Sequence, residues 1–422
     1  MADSFQSMRL ELLTIGDELL LGFTVDTNAA HIARELAAIG VSIVRRGTVG
    51  DHADDIGTAV REALDRTGAV ITTGGLGPTS DDRTRPVIAE LFGRELAPDE
   101  QRWESLRALW RERGRGEIPL SYRTQVMIPR GATVLDNRHG TAPGLWLEDD
   151  RGRWCAMLPG VPREMRGMLA DELLPRIRER LGSTSTVVRS RTLRTTGIGE
   201  SNLAELIAPV AHHLDGLSLA YLPGADGVDL RVTSRNLPSD ATDTLLARGI
   251  GVLRERATRY AYADDQRDLA AVVLERCEAR NLHIGVAESC TGGLLGARLT
   301  AIPGSSTVVE GGVIAYSNSV KMQLLGVTEA TLAQHGAVSE QTAREMASGI
   351  RARLGVEIGV GITGVAGPGG GTPEKPVGLV WIAADVAGEV RAIGPRLIGD
   401  RSEIRYRATQ AALDLVRRMV AG

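Results

Sequence analysis

The chain is nearly without lysine. Of 49 basic residues in 422 positions, only Lys321 and Lys375 are lysines, and the other 47 are arginines. Cysteine is as scarce. Cys155, Cys277 and Cys290 are an odd, scattered set without metal-ligand spacing, which excludes a disulfide framework and a zinc finger and agrees with a reducing compartment. No apolar run approaches the roughly 20 residues that a membrane span requires. The opening "MADSFQSMRLELLTIGDE" carries acidic residues where a secretion signal is basic. A cytoplasmic protein with no membrane partner is expected. Nor is one sign of charge in excess: the net charge is −4 and 24% of residues are charged, so nothing asks for a polyanionic partner.

What is present is length and alternation. At about 100–200 residues per domain, the chain has room for two to four domains. Residues 1–175 alternate short apolar runs with amphipathic stretches. "RLELLTIG" reads as a strand, "DTNAAHIARELAAIG" as a helix capped by Asp26 or Thr27 and stopped by Gly40, then "VSIVRRGTVG" and "AVITTGG" as further strands. Repeated strand–helix units predict an α/β domain with a mostly parallel, right-handed doubly wound sheet. Residues 183–262 read as a small α+β module with nine arginines against eight acidic residues, which lacks the basic footprint of a nucleic-acid binder and suits a spacer or dimerisation role. Residues 265–422 return to α/β.

In the first domain, "VITTGGLGPTSDDRT" sets glycines and hydroxyls directly after a strand. Gly74, Gly75 and Gly77 permit close backbone approach, so their N–H groups can cradle phosphate, and Thr79 and Ser80 add donors. Asp81 and Asp82 beside such a cradle would repel phosphate unless a hard divalent cation lies between. Glu18, after the first strand, can reach the same sheet edge.

In the last domain, polar residues cluster at strand ends in "AESCTGG", "PGSSTVVEGGVIAYSNSVK", "GITGVAGPGGG" and "IGDR". Thr291, Gly292 and Gly293 stand at a helix start, where free N–H groups attract anions, and Thr363 with Gly364 holds a similar place after another strand. Arg401 can clamp a phosphate. The remaining hydroxyls, Ser289, Ser305, Ser306 and Tyr316, are near Lys321 in sequence and have no nearby histidine. Serine needs a base to attack, and lysine with a depressed pKa can serve where arginine, always protonated, cannot. That accounts for a lysine kept at 321. Cys290 reads as buried filler, not as a nucleophile.

The stretches "GDELLLGFTVDTNAAHIARELAAIGV", "TTGGLGPTSDD" and "LPGVPREM" resemble the MoaB-like, molybdopterin-binding-type domain of the CinA (competence/damage-inducible) proteins. The ordered set "AESCTGG", "GSS…AYSN…K" and "TGxAGPxGG" resembles their C-terminal domain, which occurs alone as the PncC-type nicotinamide-nucleotide amidases. The resemblance implies two three-layer αβα domains joined by the α+β module, and a homodimer. For the N-terminal half it implies a divalent metal (Mg, Co or Mn) at Asp81, Asp82 and Glu18, phosphate binding by Gly74, Gly75, Gly77, Thr79 and Asn28, and hydrolysis of ADP-ribose to AMP and ribose 5-phosphate. Ser80 stands where "GPTHDD" in the family has histidine. For the C-terminal half it implies metal-free deamidation of nicotinamide mononucleotide to nicotinate mononucleotide and ammonia. Ser306 is then the nucleophile, Lys321 the base and Ser289 a bridging hydroxyl. Tyr316, Thr363 and Gly364 are orienting or oxyanion groups, while Arg401, Thr291 and Gly292 hold the ribose phosphate. Sequence does not distinguish Ser289 from Ser306 as the attacking group. Two alternatives stand beside this bifunctional hydrolase: a single active domain with the other as a binding or assembly module, and a non-catalytic competence or recombination partner.

Overall fold

The structure is a computed structural model, and it describes residues 8–182, 187–214 and 216–420. Residues 1–7, read above for a signal, and 183–186, the start of the middle module, lie outside the described residues. The chain divides into two compact units, one formed by 1–189 with 234–244 and the other by 190–233 with 245–422.

The first unit is built on strands β1 (Arg9–Ile15), β2 (Ser42–Val49), β3 (Ala69–Thr73), β6 (Thr133–Leu135), β7 (Gly144–Glu148) and β8 (Trp154–Leu158), ordered β2-β1-β3-β8-β7-β6. The short strands β4 (Leu96–Pro98) and β5 (Met127–Pro129) pair separately. The four strands β2, β1, β3 and β8 are parallel, whereas β7 pairs antiparallel with β8 and β6 antiparallel with β7, so the sheet is mixed. Period-two alternation divides β1 between two cores: Leu10 and Leu12 face one cluster, Leu13 and Ile15 the other. Burial on both faces is what a three-layer αβα arrangement requires. The helix Thr27–Ala38 begins where Asp26 accepts the N–H of Ala29 at 2.8 Å, and Gly40 follows in a left-handed conformation, φ 88°.

The second unit holds two sheets. The middle one comprises β9 (Val187–Thr195), β10 (Leu217–Pro223), β11 (Val228–Leu237) and β12 (Ala261–Ala263) in the order β10-β11-β9-β12. The C-terminal one comprises β13 (Ile284–Glu288), β14 (Val309–Ile314), β15 (Ile358–Gly364), β16 (Val380–Val386) and β17 (Glu389–Ile393), ordered β14-β13-β15-β16-β17. Its first three strands are parallel, and β16 pairs antiparallel with β15 and β17 antiparallel with β16. Ile358, Val360 and Ile362 pack toward the helix Arg401–Val420 and its neighbours. On the opposite face Gly359 and Gly361 admit the helix Glu340–Leu354 so closely that a Cβ on either would lie 2.1 Å and 2.4 Å from the carbonyls of Ala347 and Ala343. Only glycine permits that approach.

The middle module is no free spacer. Asp226, in the turn between β10 and β11, receives the Tyr406 hydroxyl at 2.6 Å and the Arg194 guanidinium at 2.8 Å. Gln410 donates to the Asp226 carbonyl at 2.9 Å. Arg417, buried and paired to Asp414 at 2.7 Å, donates onward to the Arg259 carbonyl at 2.8 Å. These bonds fasten the module to the C-terminal helix within one unit.

Candidate active sites

In the C-terminal domain, Ser289 follows β13, and the helix Asn318–Leu325 carries Lys321 back toward it. Ser317 caps that helix by accepting the N–H of Val320. Lys321 is 1% exposed and is the bulkiest fully buried side chain. Its Nζ stands 3.0 Å from Ser289 Oγ, 2.8 Å from the Ala315 carbonyl and 3.4 Å from the Tyr316 carbonyl. No carboxylate pairs with it among the described residues, and the nearby Glu288 is engaged by backbone N–H groups. Burial lowers the Lys321 pKa from its ordinary value, with Cys290 opposing weakly. A neutral amine has two N–H groups and one lone pair. Nζ donates to Ser289 Oγ and to both carbonyls; in the neutral form the carbonyls would keep the two N–H groups and the lone pair would face the Ser289 hydroxyl.

Glu288 corrects the expectation of free donors at "CTGG". Its buried carboxylate accepts the N–H groups of Gly293 (3.1 Å), Leu295 (3.1 Å) and Gly296 (2.8 Å), so the helix start at Leu294 is already occupied by an anion of the chain. The Gly292 N–H is bonded to the Ser289 carbonyl at 3.2 Å. Thr291 is fully buried, its carbonyl receives Arg405 at 2.6 Å, and its hydroxyl has no partner. Thr363 is buried also and donates to the Ala337 carbonyl at 2.7 Å. Gly364 ends β15 beside it. Arg401 donates to the Gly367 carbonyl at 2.7 Å and reaches the Tyr316 hydroxyl at 3.5 Å, while Tyr316 itself is 66% exposed. Ser306 is exposed on a short turn, Ser305–Thr307, without a hydrogen bond to Lys321 or Ser289. The Cys290 thiol is pushed up to about 11 by burial, so it is no thiolate at neutral pH. Lys375 lies outside this group, donating to the His335 carbonyl at 2.6 Å. Sequence reading missed Glu288 and Arg405. Glu288 stood inside a quoted motif, and its position before a glycine-rich helix start was the available signal.

In the N-terminal domain a cleft of about 480 Å³ lies at the ends of β1 and β3. Gly74, Gly75, Gly77, Asp81, Asp82 and Glu18 all line it, as expected of residues at one sheet edge. Asp51 and Glu164, unmarked by sequence, join them. The wall thus holds five carboxylates and no basic side chain. Asn28 donates to the Gly160 carbonyl at 2.7 Å and to Thr73 at 3.3 Å. The cradle differs from expectation in one respect. Asp82 turns onto its own loop and accepts the N–H of Gly77 (2.7 Å) and both the N–H (2.8 Å) and hydroxyl (2.5 Å) of Thr79. Those donors are therefore taken by a carboxylate, and Asp82 has little freedom to meet Asp81 and Glu18. Among the described residues no three His, Cys, Asp or Glu side chains converge on one point as a metal cage. The donor chemistry still fits a hard cation, because Mg²⁺ commonly takes one or two carboxylates and completes its shell with substrate phosphate and water. Ser80 is exposed, and its carbonyl receives Arg83 at 3.4 Å.

Two αβα domains, each with polar residues gathered at strand ends, and a small α+β module define the architecture of the chain. Family models match in that order: "Probable molybdopterin binding domain" over residues 11–179, "Damage-inducible protein CinA KH domain" over 190–263 and "CinA C-terminal domain" over 266–420. A "CinA-like protein" of Gemmatimonas aurantiaca is 60% identical over 414 residues, covering 98% of this chain and 97% of the relative. A second, from Salinibacter ruber, is 43% identical over 419 residues, covering 98% and 100%. The crystal structure of competence/damage inducible protein CihA from Agrobacterium tumefaciens is 42% identical over 36% of this chain and 94% of its own, with a TM-score of 0.36. The chain belongs to the CinA family. No helix among the described residues is long and apolar enough to cross a membrane.

Proposed function

We propose that the C-terminal domain hydrolyses the carboxamide of nicotinamide mononucleotide, giving nicotinate mononucleotide and ammonia, and that the N-terminal domain cleaves ADP-ribose to AMP and ribose 5-phosphate with a divalent metal. The observation that carries the first activity is the buried, unpaired Lys321 with its Nζ 3.0 Å from Ser289 Oγ. An ammonium ion buried without a counter-charge is costly, so the lysine stands ready as a base. A serine hydroxyl adds to the carboxamide carbon, its proton passes to Lys321, and the proton leaves with the amine as ammonia. Water then cleaves the acyl-enzyme by the same route and regenerates the serine. Ser306 is the nucleophile in this reading, with Ser289, in contact with the lysine, relaying the proton. Arg401, in reach of the Tyr316 hydroxyl at 3.5 Å, is the side chain that would hold the ribose phosphate. No metal is assigned to this half.

The second activity is supported by the charge of its cleft. A pyrophosphate cannot enter a wall of five carboxylates without cations between. The metal would supply charge neutralisation and polarisation of the scissile phosphate, held by Asp81 and Glu18 with Asp82 close by. Asn28 and the glycine loop position the phosphates.

The test is ammonia release from nicotinamide mononucleotide by wild type and Lys321→Arg, with and without EDTA. Release that survives EDTA and vanishes in the variant supports the amidase. A folded wild type that releases none sinks it. One observation favours an N-terminal domain that binds without turnover: Asp82 already occupies the Gly77 and Thr79 amides. ADP-ribose that binds but is not cleaved at any metal concentration would select that reading.

A further inference from the structure

The N-terminal cleft contains one polar group that nothing above uses. Gln125 lines it, is 2% exposed, and its side-chain oxygen Oε1 is buried with no hydrogen-bond partner. Buried carbonyl oxygens are nearly always paired, because an unpaired one is a standing cost to the fold. Its retention asks for a donor that arrives from outside the chain.

The backbone around Gln125 is held firmly. The segment Leu120–Val126 is a 3₁₀ helix, and Arg85, itself 4% exposed, donates one guanidinium nitrogen to the Thr124 carbonyl and another to the Leu76 carbonyl at 3.0 Å. The next carbonyl but one, that of Val126, accepts the Asp99 N–H at 2.9 Å. Residues three apart on a 3₁₀ helix eclipse one another. Tyr122 and Gln125 therefore leave the same face, and both line the cleft. Tyr122 and Gln125 set an aromatic ring and a carboxamide in a wall that also holds five carboxylates, glycines and small or apolar residues. Phosphates, brought in with metal, belong to the carboxylates. A flat heterocycle carrying an N–H donor belongs to the ring and the amide.

We propose that Gln125 is a specificity-determining residue of this cleft, its Oε1 accepting a hydrogen bond from the exocyclic amine of an adenine base set against Tyr122. The proposal rests on the reading of the cleft as an adenine-nucleotide site but is separable from hydrolysis. A site built to pair a substrate N–H rejects the analogue lacking it, since its own polar group is then left unpaired.

The experiment measures equilibrium binding of AMP and of purine riboside 5′-monophosphate, which lacks the 6-amino group, to the full chain with Mg²⁺ present. ADP-ribose turnover is followed in parallel. Wild type is expected to bind AMP roughly tenfold more tightly than the analogue. Gln125→Met, similar in length but without an acceptor, should bind the two within about twofold while its melting temperature stays level or rises, because the unpaired oxygen is gone. Gln125→Glu keeps an acceptor and should keep the preference, which separates loss of the acceptor from loss of packing if the methionine variant folds poorly. An undiminished preference in Gln125→Met overturns the proposal. So does equal weakening of both nucleotides, which would place the contact on the sugar or phosphate. A wild type that prefers AMP through Gln125 yet cleaves no ADP-ribose would uphold base reading and overturn the hydrolytic assignment. Binding of neither nucleotide would overturn both.

Discussion

Lys321 Nζ and Ser289 Oγ, 32 residues apart in sequence, lie 3.0 Å apart in the buried part of the C-terminal domain. Lys321 is 1% exposed, and no carboxylate pairs with it among the described residues. To take a proton from the Ser289 hydroxyl the lysine must be neutral.

That dependence sets a pH profile. Burial lowers the Lys321 pKa below 10.5, so kcat/KM for amide hydrolysis should rise with pH through the lowered value and level off above it. Lys321→Arg should lose about 10²–10⁴-fold, the usual worth of a general base. A variant retaining wild-type ammonia release would remove Lys321 from the role.

The same burial predicts a stability signature. Between the lowered pKa and 10.5, the unfolded chain binds a proton at Lys321 that the folded chain does not, so wild-type stability increases with pH across that window. Lys321→Met should be more stable than wild type at neutral pH, with the gap closing as the pH approaches 10.5. Melting temperatures of the two proteins over that range test it. A gap that widens with pH contradicts the neutral lysine.

The two serines can be told apart by trapping. If Ser306 attacks, Ser306→Ala forms no acyl-enzyme, whereas Ser289→Ala forms it slowly, with a loss of about 10²-fold or more from the broken proton path. Mass spectrometry of quenched single turnovers shows which. Acylation found on Ser289 would exchange their assignments.

Removing Asp82 should act twice. Three hydrogen bonds to the Gly77–Thr79 loop disappear in Asp82→Ala, at a cost of about 2 kcal/mol, and metal-dependent ADP-ribose cleavage should fall by about 10²-fold or more. EDTA should abolish what remains. Loss of stability with full turnover would make Asp82 a loop clasp alone.

Asp226 is expected to matter to the fold far more than its surface turn suggests. Asp226→Ala leaves Arg194 and Arg298, with side chains 13% and 8% exposed, short of a partner and should cost about 3 kcal/mol, while Tyr406→Phe should cost about 1 kcal/mol. Urea unfolding of the full chain reads both, and equal small losses would show the network to be slack.

Much of this was legible before any coordinates. Asp26 and Gly40 announced the bounds of a helix because capping and left-handed turns are local chemistry. Lys321 drew notice because arginine had replaced almost every other lysine. The antiparallel ends of both large sheets were not legible, since strand direction is decided by connections and not by the strand's own residues. Glu288 escaped because a carboxylate before a helix start reads equally as solvent-facing. Gln125 lies in a 3₁₀ segment with no hydrophobic period to fix its side chain. The bonds around Asp226 join residues up to 184 positions apart, which a local pattern cannot express.

The clasp between the β10–β11 turn and the C-terminal helix has a practical result. A protease that nicks the connector after β12 should release no separate amidase: the two fragments, still held by Tyr406, Gln410 and Arg417, should travel together through size exclusion until denaturant parts them. The module and the domain that match separate family models behave, as a piece of matter, as one body.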